Sequence, residues 1–248
     1  MGLKIKHEFM LRALRTAESP VQNRLLAALP PKDFKRLVQS LEPVSLTFGQ
    51  VLYEPGERIQ HVYFPLSGVI SLLIIVAPRK AAEVAVVGNE GVIGGSAALG
   101  IDVSHLRAVV QGAGTALRIS SLRLYKEFKT HDAWYRELFR FTDALMNQAA
   151  QTAACNRFHP VEARLARWLL ATRDRVGSHH LHLTHEFLSR MLGVRRVAVS
   201  AAAAKLQKRR LITYTRGVIQ LLNPPGLAAT ACECYKSIKE IYRRSYRT

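Results

Sequence analysis

The side chains best suited to chemistry in this chain are basic and small polar residues between positions 195 and 208. Apolar residues recur at helical spacing from Val199 to Leu206, which predicts a helix whose intervening side chains point outward. An outward guanidinium can bond both acceptors of a guanine edge, whereas an ammonium binds phosphate as a point charge. The outward set is Arg195, Arg196, Val197, Ser200, Lys205 and Lys208.

The sequences on either side of that helix indicate how it is held. Thr184 can cap a preceding short helix, and Gly193 tolerates the left-handed backbone needed where that helix ends. Residues 210–222 alternate apolar and polar side chains around Arg216-Gly217, as a β-hairpin does. Helix, turn, helix and hairpin make a winged helix-turn-helix, whose second helix enters the major groove of double-stranded DNA. An ordinary helical hairpin does not account for the β-hairpin, so we also assign Thr184 and Arg216 to the DNA-binding set.

The charge of the chain is concentrated in the same region. Of a formal net charge of +18, +13 lies from Arg157 onward, where 18 Lys and Arg accompany 5 Asp and Glu. A basic domain of this kind fits a phosphate backbone, although an anionic membrane would also attract it. No stretch approaches the roughly 20 apolar residues that span a bilayer, and the N-terminus lacks the apolar core of a signal peptide. We therefore expect a cytoplasmic protein without a membrane partner.

Metal-binding and catalytic patterns are weak by comparison. Cys155, Cys232 and Cys234 are too few and too unevenly spaced for a disulfide framework, so reduced thiols are expected. The Cys-x-Cys pair and the histidine cluster at 179–185 could each bind a metal ion, but a partly exposed, phosphate-facing role suits the histidines better. Nucleophile elbows, metalloprotease helices and phosphate-binding glycine loops with Lys do not occur. The sequence thus predicts no enzyme, no metal site and no cofactor.

The segment before residue 120 has the signals of a β-domain. From Val44 to Ile119, short runs rich in Val, Ile, Leu and Tyr are broken by glycines, which indicates an antiparallel sandwich or barrel. Two short helices are predicted before it, over 21–29 and 32–41, and Pro30-Pro31 separates them because proline cannot sit inside a helix.

A long helix is predicted next, over 132–156, because this stretch contains no Pro or Gly. One face repeats at the 4-3 spacing of a coiled coil, and a neighbouring face carries Tyr135, Phe139, Thr142, Met146 and Ala149. One face can pack on the β-domain and the other on a second copy of the chain. The alternative is that both faces are buried within one subunit. The residues assigned to the dimer are Trp134, Leu138, Phe141, Leu145, Gln148 and Thr152. After an interruption at His159-Pro160, a new helix begins at Val161, and a last helix is predicted over 227–242.

The stretch FGQVLYEPGERIQHVYFPLSGVISLL, from Phe48 to Leu73, resembles the cyclic-nucleotide-binding β-roll of the Crp/Fnr family of bacterial transcription regulators. The matching turn and strand positions are Gly49, Pro55-Gly56-Glu57, Val62-Tyr63-Phe64 and Ser67-Gly68, and the order of the later elements agrees over about residues 21–222. The resemblance implies an α+β fold with an N-terminal antiparallel β-roll, a long dimerisation helix and a C-terminal winged helix-turn-helix. It implies a homodimeric, sequence-specific regulator whose partners are double-stranded DNA and RNA polymerase. The expected domains are a β-roll (21–130), the dimerisation helix and hinge (131–157) and a DNA-binding domain with an extra C-terminal helix (158–248).

The positions that hold a cyclic nucleotide in that family are only partly kept. Where such members have Gly-Glu-Leu and later Arg-Ser or Arg-Thr, this chain has Gly94-Gly95-Ser96 and Arg107-Ala108. The carboxylate that takes the ribose hydroxyl is missing, and each unpaired buried hydroxyl would cost about 1 to 3 kcal/mol. These five residues are therefore a candidate effector pocket that we do not expect to bind cyclic AMP. The family's N-terminal cysteine cluster for an iron–sulfur centre is excluded because no cysteine precedes Cys155, and haem on His61 or His105 is an open alternative.

The resemblance also assigns roles on the predicted recognition helix. Arg196 aligns with the guanine-reading Arg of the catabolite-regulator branch, and Ser200 with a base-contacting Ser of the oxygen-sensing branch. Val197 replaces the Glu with which both branches accept a hydrogen bond from cytosine, so the preferred half-site is expected to differ there. Two other classes stay open: a ligand-binding β-roll protein whose basic domain binds RNA or anionic lipid, and a nucleoid-type protein without sequence preference.

Overall fold

The computed structural model describes residues 22–77, 80–128 and 132–246. The basic segment before Val21 and the predicted tail residue Arg247 lie outside this described part. The helices are α1 (Arg24–Ala27), α2 (Pro31–Leu37), α3 (Ser121–Phe128), α4 (Asp132–Phe158), α5 (Val161–Val176), α6 (His185–Leu192), α7 (Arg196–Lys208), α8 (Pro224–Thr230) and α9 (Cys234–Ser245). The strands are β1 (Glu42–Leu46), β2 (Val51–Tyr53), β3 (His61–Pro65), β4 (Val69–Ala77), β5 (Lys80–Val87), β6 (Arg107–Gly112), β7 (Gly114–Ser120), β8 (His180–His182), β9 (Ile212–Thr215) and β10 (Val218–Leu221).

The predicted β-domain is confirmed as two antiparallel sheets, with strand orders β1-β7-β3 and β2-β6-β4-β5. Alternate residues of paired strands face the core: Val62 lies opposite Ile119, and Phe64 opposite Leu117, all at most 2% exposed. Gly68 has a positive φ of 84°, and a Cβ there would lie 2.5 Å from the Gly112 carbonyl oxygen. Glycine is therefore required where these strands turn closely past each other.

The chain divides into two compact units. Of the described residues, one unit comprises 22–71, 87–128, 132–143 and 245–246, and the other 72–77, 80–86 and 144–244. The outer part of the β4–β5 hairpin is thus grouped with the C-terminal half, where the Trp168 indole Nε1 donates to Glu83 at 3.0 Å. The three domains expected from the sequence were defined by their roles, whereas these two units are defined by packing. The three-domain division therefore stays a prediction.

The inner face of α4 corrects the predicted dimer contacts. Trp134 packs against Phe64 and Phe128 at ring-centroid distances of 6.4 and 5.5 Å, and Phe141 covers Gly91. Because these side chains fill the core of their own subunit, they are not available to a partner. The same holds for the buried residues Leu138, Gln148 and Thr152, whereas Leu145 is half-buried.

The outer face of α4 carries the second apolar row seen in the sequence. Phe139 and Met146 are 58% and 66% exposed, Thr142 is exposed, and Tyr135 and Ala149 are half-buried. The 4-3 spacing therefore predicts the helix and its two apolar rows correctly, but five of the six residues assigned to the dimer are buried within the core of this chain. Spacing alone does not distinguish the two rows, because both repeat with the same period.

The C-terminal segment also differs from expectation, since two helices replace the single one predicted over 227–242. Asn223 caps α8 by accepting a hydrogen bond from Gly226 N at 2.9 Å, and two prolines occupy the first turn. Ala231 is extended, with φ −66° and ψ 149°, which ends α8 before α9 begins at Cys234. No helix in the described residues is both long and apolar enough to span a bilayer.

Candidate nucleic-acid interface

The two predicted helices and the turn between them are present. Thr184 caps α6 by accepting a hydrogen bond from Phe187 N at 3.1 Å, and Gly193 ends that helix with φ 62°. Val199, Leu206 and two of the alanines between them, Ala202 and Ala203, are buried, so α7 rests on the domain core with its other face outward. Local capping and period therefore fix the helix-turn-helix that the sequence predicts.

The first turn of α7 presents the side chains expected to read DNA. Arg195 and Arg196 are exposed, and Val197 is 71% exposed. Within the described residues, neither arginine side chain makes a hydrogen bond or ion pair. A guanidinium without an internal partner keeps all its donors for an external acceptor. These three residues form the open end of the recognition helix.

Ser200 is placed differently from an open base reader. Its hydroxyl lies 2.9 Å from His185 Nδ1, and the His185 ring stacks on Tyr214 of β9 with centroids 4.2 Å apart. Burial, together with the nearby charge of Arg196, lowers the pKa of His185, so the ring is neutral at pH 7. Ser200 thus joins α6, α7 and the wing, and a base contact would have to compete with His185 for its hydroxyl.

The two lysines of α7 are not equivalent. Lys205 lies 3.8 Å from a Glu162 carboxylate oxygen, and Arg209 lies 3.2 Å from the other oxygen of that carboxylate. Lys208 is exposed and has no ion pair within the described ranges. Because Glu162 already offsets part of the charge near Lys205, Lys208 is the stronger candidate for phosphate.

The predicted wing is confirmed. β9 and β10 pair antiparallel, with Val218 opposite Thr215, and β8 adds a third strand on the other side of β10. Arg216 and Gly217 at the tip have φ values of 48° and 82°, as a two-residue turn with two positive φ angles requires. Arg216 is exposed at the tip of this hairpin.

Arg164 of α5 is a supporting residue that sequence reasoning missed. It is 5% exposed, and its Nη2 donates to the Leu192 carbonyl at the end of α6 and to Asn156 Oδ1, the latter at 2.7 Å. A helix C-terminus leaves carbonyls without partners, and a buried guanidinium satisfies one of them here. The sequence does carry one signal for this role: Arg164 and Arg167 are three residues apart in a helix that is otherwise largely apolar, so both lie on a face that is expected to be buried. A buried arginine needs hydrogen-bond acceptors from a neighbouring element.

The predicted effector residues of the β-roll are largely occupied by the protein itself. Arg107 Nε donates to Glu54 Oε2 at 2.7 Å, and Ala108 is fully buried. Gly94 has φ 81°, and a Cβ on Gly95 would lie 3.0 Å from Leu138 Cδ1. Ser96 is half-buried in the short 3₁₀ helix that follows. The arginine that could hold phosphate thus has an internal carboxylate partner, and Leu138 packs closely against Gly95.

The other candidate ligand residues are dispersed. His61 of β3 helps to line a cavity of about 430 Å³ together with Tyr53 and Tyr63, and none of the five predicted effector residues lines it. His105 is exposed in the loop before β6. Among the described residues, the histidines at 179–185 do not gather around a common point, whereas Cys155, His159, Cys232 and Cys234 do.

Comparison with known proteins agrees with this architecture. Residues 163–230 match the model of the Crp-like helix-turn-helix domain. Among curated protein sequences, none matches this chain.

Solved structures with the same fold span most of the chain. CLP, the c-di-GMP responsive global regulator of Xanthomonas campestris, is 16% identical with a TM-score of 0.64, over 77% of this chain and 99% of its own. A CRP/FNR family transcriptional regulator of Thermus thermophilus is 21% identical with a TM-score of 0.63, over 77% and 98%. FixK2 from Bradyrhizobium japonicum is 16% identical with a TM-score of 0.63, also over 77% and 98%. Residues 163–230 therefore form a Crp-like helix-turn-helix domain, in a chain that has the fold of the Crp/Fnr transcription regulators.

Proposed function

We propose that this protein is a homodimeric, sequence-specific DNA-binding transcription regulator whose β-roll does not bind cyclic AMP. The observation that carries the proposal is the first turn of α7, where Arg195, Arg196 and Val197 are exposed beside an ordered wing. This is the end of a recognition helix that meets base edges in the major groove. RNA polymerase as a second partner rests on the family resemblance and stays a prediction.

The dimer is proposed to form along the outer row of α4 rather than along the inner one. Two large apolar side chains of this row, Phe139 and Met146, are more than half exposed, and Thr142 lies between them. Large apolar side chains repeated along one exposed helical row favour helix pairing. A dimer places two recognition helices on two half-sites of the same duplex.

The absence of cyclic AMP binding is supported by what fills the nucleotide positions. A bound phosphate would have to displace Glu54 from Arg107, where the two side chains now lie 2.7 Å apart. Restoring the ribose-binding carboxylate at position 95 would require Leu138 and Val92 to shift, because a methyl carbon of each lies 3.0 Å from where a Cβ on Gly95 would be.

Selection of bound sites from random double-stranded DNA tests the proposal. We expect enrichment of a two-fold symmetric site whose half-sites are centred about 10 to 10.5 base pairs, or a multiple, apart. The Arg196→Ala variant should enrich the same site with one base-pair preference relaxed, and the Arg136→Glu variant, changed on the polar side of α4, serves as the unchanged control. If no sequence is enriched and affinity follows salt concentration alone, the protein is a nucleoid-type binder. Tighter binding to single-stranded RNA or to anionic vesicles would contradict the proposal in favour of the other rival.

A further inference from the structure

Three cysteines and one histidine from distant parts of the sequence meet at one point. The thiol sulfurs of Cys155, Cys232 and Cys234 and one ring nitrogen of His159 all lie within 4.8 Å of one another. All three cysteines are buried, at 0%, 7% and 0% exposed, and the His159 side chain is 21% exposed. Three soft sulfur donors and an imidazole form a metal-ligand set rather than a random surface group.

The local structure brings these four groups together in two steps. Cys155 and His159 are four residues apart at the end of α4, and the His159 N–H still bonds the Cys155 carbonyl at 3.1 Å, so both side chains share one face. Cys232 and Cys234 would lie about 200° apart on a continuous helix, on opposite faces. Cys232 instead lies in the non-helical link between α8, which ends at Thr230, and α9, which begins at Cys234, so this restriction does not apply and both cysteines are buried.

Two of the ligand-to-ligand distances match those of a single tetrahedral ion. Zinc bonds of about 2.3 Å to sulfur and 2.0–2.1 Å to nitrogen place tetrahedral sulfurs roughly 3.8 Å apart and a sulfur and nitrogen roughly 3.5 Å apart. The Cys155 and Cys232 sulfurs are 3.5 Å apart, and the Cys234 sulfur is 3.5 Å from His159 Nδ1. A set of four protein ligands leaves no open position for substrate, which is typical of a structural zinc site.

The groups around the four ligands have the character of an outer coordination layer. His159 Nε2 lies 3.0 Å from Glu233 Oε1, so the ring is oriented with Nδ1 toward the sulfurs. Gln151 Nε2 donates to the Cys234 sulfur at 3.1 Å. Metal-bound histidines commonly bond a carboxylate through the second ring nitrogen, and thiolates accept N–H donors.

The surrounding charge gives an independent reason to expect an anionic group here. Arg167 is 6% exposed, its Nε has no hydrogen-bond partner, and it forms no ion pair within the part of the chain that the structure describes. A buried cation needs a counter-charge, and Zn²⁺ with three thiolates and a neutral imidazole carries a net charge of −1.

We propose that Cys155, His159, Cys232 and Cys234 bind one structural Zn²⁺ per subunit, which fastens the C-terminal extension to the junction of α4 and α5. Binding displaces the three thiol protons to solvent and oxidises nothing. The ion would join residues 232–234 to the end of α4. At that end Asn156 accepts a hydrogen bond from Arg164, which also donates to the Leu192 carbonyl of α6. It is independent of which DNA sequence the protein reads, so it can be tested without an operator.

The test measures metal content and Co²⁺ spectra on the full-length, untagged protein purified under reducing conditions. We expect one zinc per subunit by elemental mass spectrometry. After removal of zinc by a chelator, addition of Co²⁺ should produce the visible bands of a tetrahedral ion together with thiolate-to-metal charge-transfer bands. A folded, fully reduced protein without zinc and without these Co²⁺ bands would overturn the proposal. So would a Cys155–Cys232 disulfide in protein alkylated at lysis, if that protein also lacks metal.

Matched variants separate this site from adventitious binding. His159→Gln should weaken Co²⁺ binding by at least about tenfold, whereas His182→Gln, an exposed histidine of β8, should leave it unchanged. Equal losses in both variants would mean surface binding and would contradict the proposal. Because a ligand variant can fail to fold, Glu233→Gln provides a second test: its side chain is 73% exposed, and it keeps all four ligands. We expect it to weaken Co²⁺ binding by about tenfold with an unchanged circular dichroism spectrum, and an unchanged affinity would argue against the oriented histidine.

Discussion

The two apolar rows of α4 have the same spacing but opposite environments. The inner row is covered by the protein's own core, with Trp134 and Phe141 at 1% and 2% exposed, while Phe139 and Met146 of the outer row are more than half exposed. A periodic apolar pattern therefore shows that a helix buries a face, but not whether the covering surface belongs to the same subunit. The row left uncovered is the one that remains available to a partner.

The same contrast separates two arginines that the sequence placed at ligand positions. Arg107 of the β-roll is held by Glu54 at 2.7 Å, whereas the Arg196 side chain of α7 makes no hydrogen bond or ion pair in the described ranges. A guanidinium that is already paired must give up its partner before it can bind an anion. Arg107 is thus already paired with Glu54, whereas Arg196 keeps all of its donors for an external acceptor.

The largest expected effect comes from charging the uncovered row. The double variant Phe139→Glu, Met146→Glu should be monomeric by light scattering and should bind operator at least about 100-fold more weakly, because two half-sites no longer act together. Arg136→Glu with Asn147→Glu, on the polar side of the same helix, is the control and should remain dimeric. A dimeric Phe139, Met146 variant would show that the outer row is not the interface.

Truncating the covered row should instead cost stability. Leu138 is 4% exposed and packs on Gly95, so Leu138→Ala should lower the free energy of unfolding by about 2 to 5 kcal/mol while leaving the protein dimeric. Chemical denaturation, together with light scattering of the folded protein, measures both quantities. If the Leu138→Ala variant were monomeric and its free energy of unfolding were unchanged, the inner row would be the dimer interface.

The open arginine should have a base-specific effect. Arg196→Ala is expected to cost about 1 to 3 kcal/mol per half-site and to relax preference at one base pair, because alanine cannot form the bidentate hydrogen bonds to guanine. Binding assays on operators changed one base pair at a time give the answer. A uniform weakening on every operator would mean that Arg196 binds phosphate.

The two lysines of α7 should differ in their salt dependence. Lys208→Gln should flatten the slope of log affinity against log salt by about 0.9 for each phosphate that the variant no longer neutralises. Lys205→Gln should change the slope less, because Glu162 lies 3.8 Å from the Lys205 ammonium. Equal changes in the two variants would show that Glu162 does not hold Lys205 once DNA is bound.

The smallest effect is expected at the Arg107–Glu54 ion pair of the β-roll. Arg107→Ala should lower the free energy of unfolding by about 1 kcal/mol or less, because the Arg107 and Glu54 side chains are each more than a third exposed. Cyclic AMP should give no heat in a calorimetric titration of the wild-type protein and should not tighten DNA binding. Stoichiometric micromolar binding that Arg107→Ala abolishes would show that the ion pair opens for the nucleotide.

Local features of the sequence were sufficient to predict the DNA-binding domain. The Thr184 cap, the left-handed Gly193 and the two-residue turn at Arg216-Gly217 act within a few residues of chain, so their chemistry fixes the backbone there. The outward position of Arg195 and Arg196 follows from the helical period of the buried residues beside them. The resemblance to the Crp/Fnr β-roll added the arrangement of the N-terminal strands.

The sequence by itself thus determined most of the helices and strands, the winged motif and which side chains point out of the recognition helix. Only the tertiary structure decided which row of α4 is covered, that Arg107 is paired, and that Cys155 and His159 meet Cys232 and Cys234 across 77 positions of chain. The reason is physical: caps, turns and periodicity act between neighbours, whereas the covering of a face and the meeting of ligands depend on contacts between segments whose separation along the chain carries no signal. The non-helical link at residues 231–233, which contains Cys232, is such a case, because a continuous helix had the better local pattern.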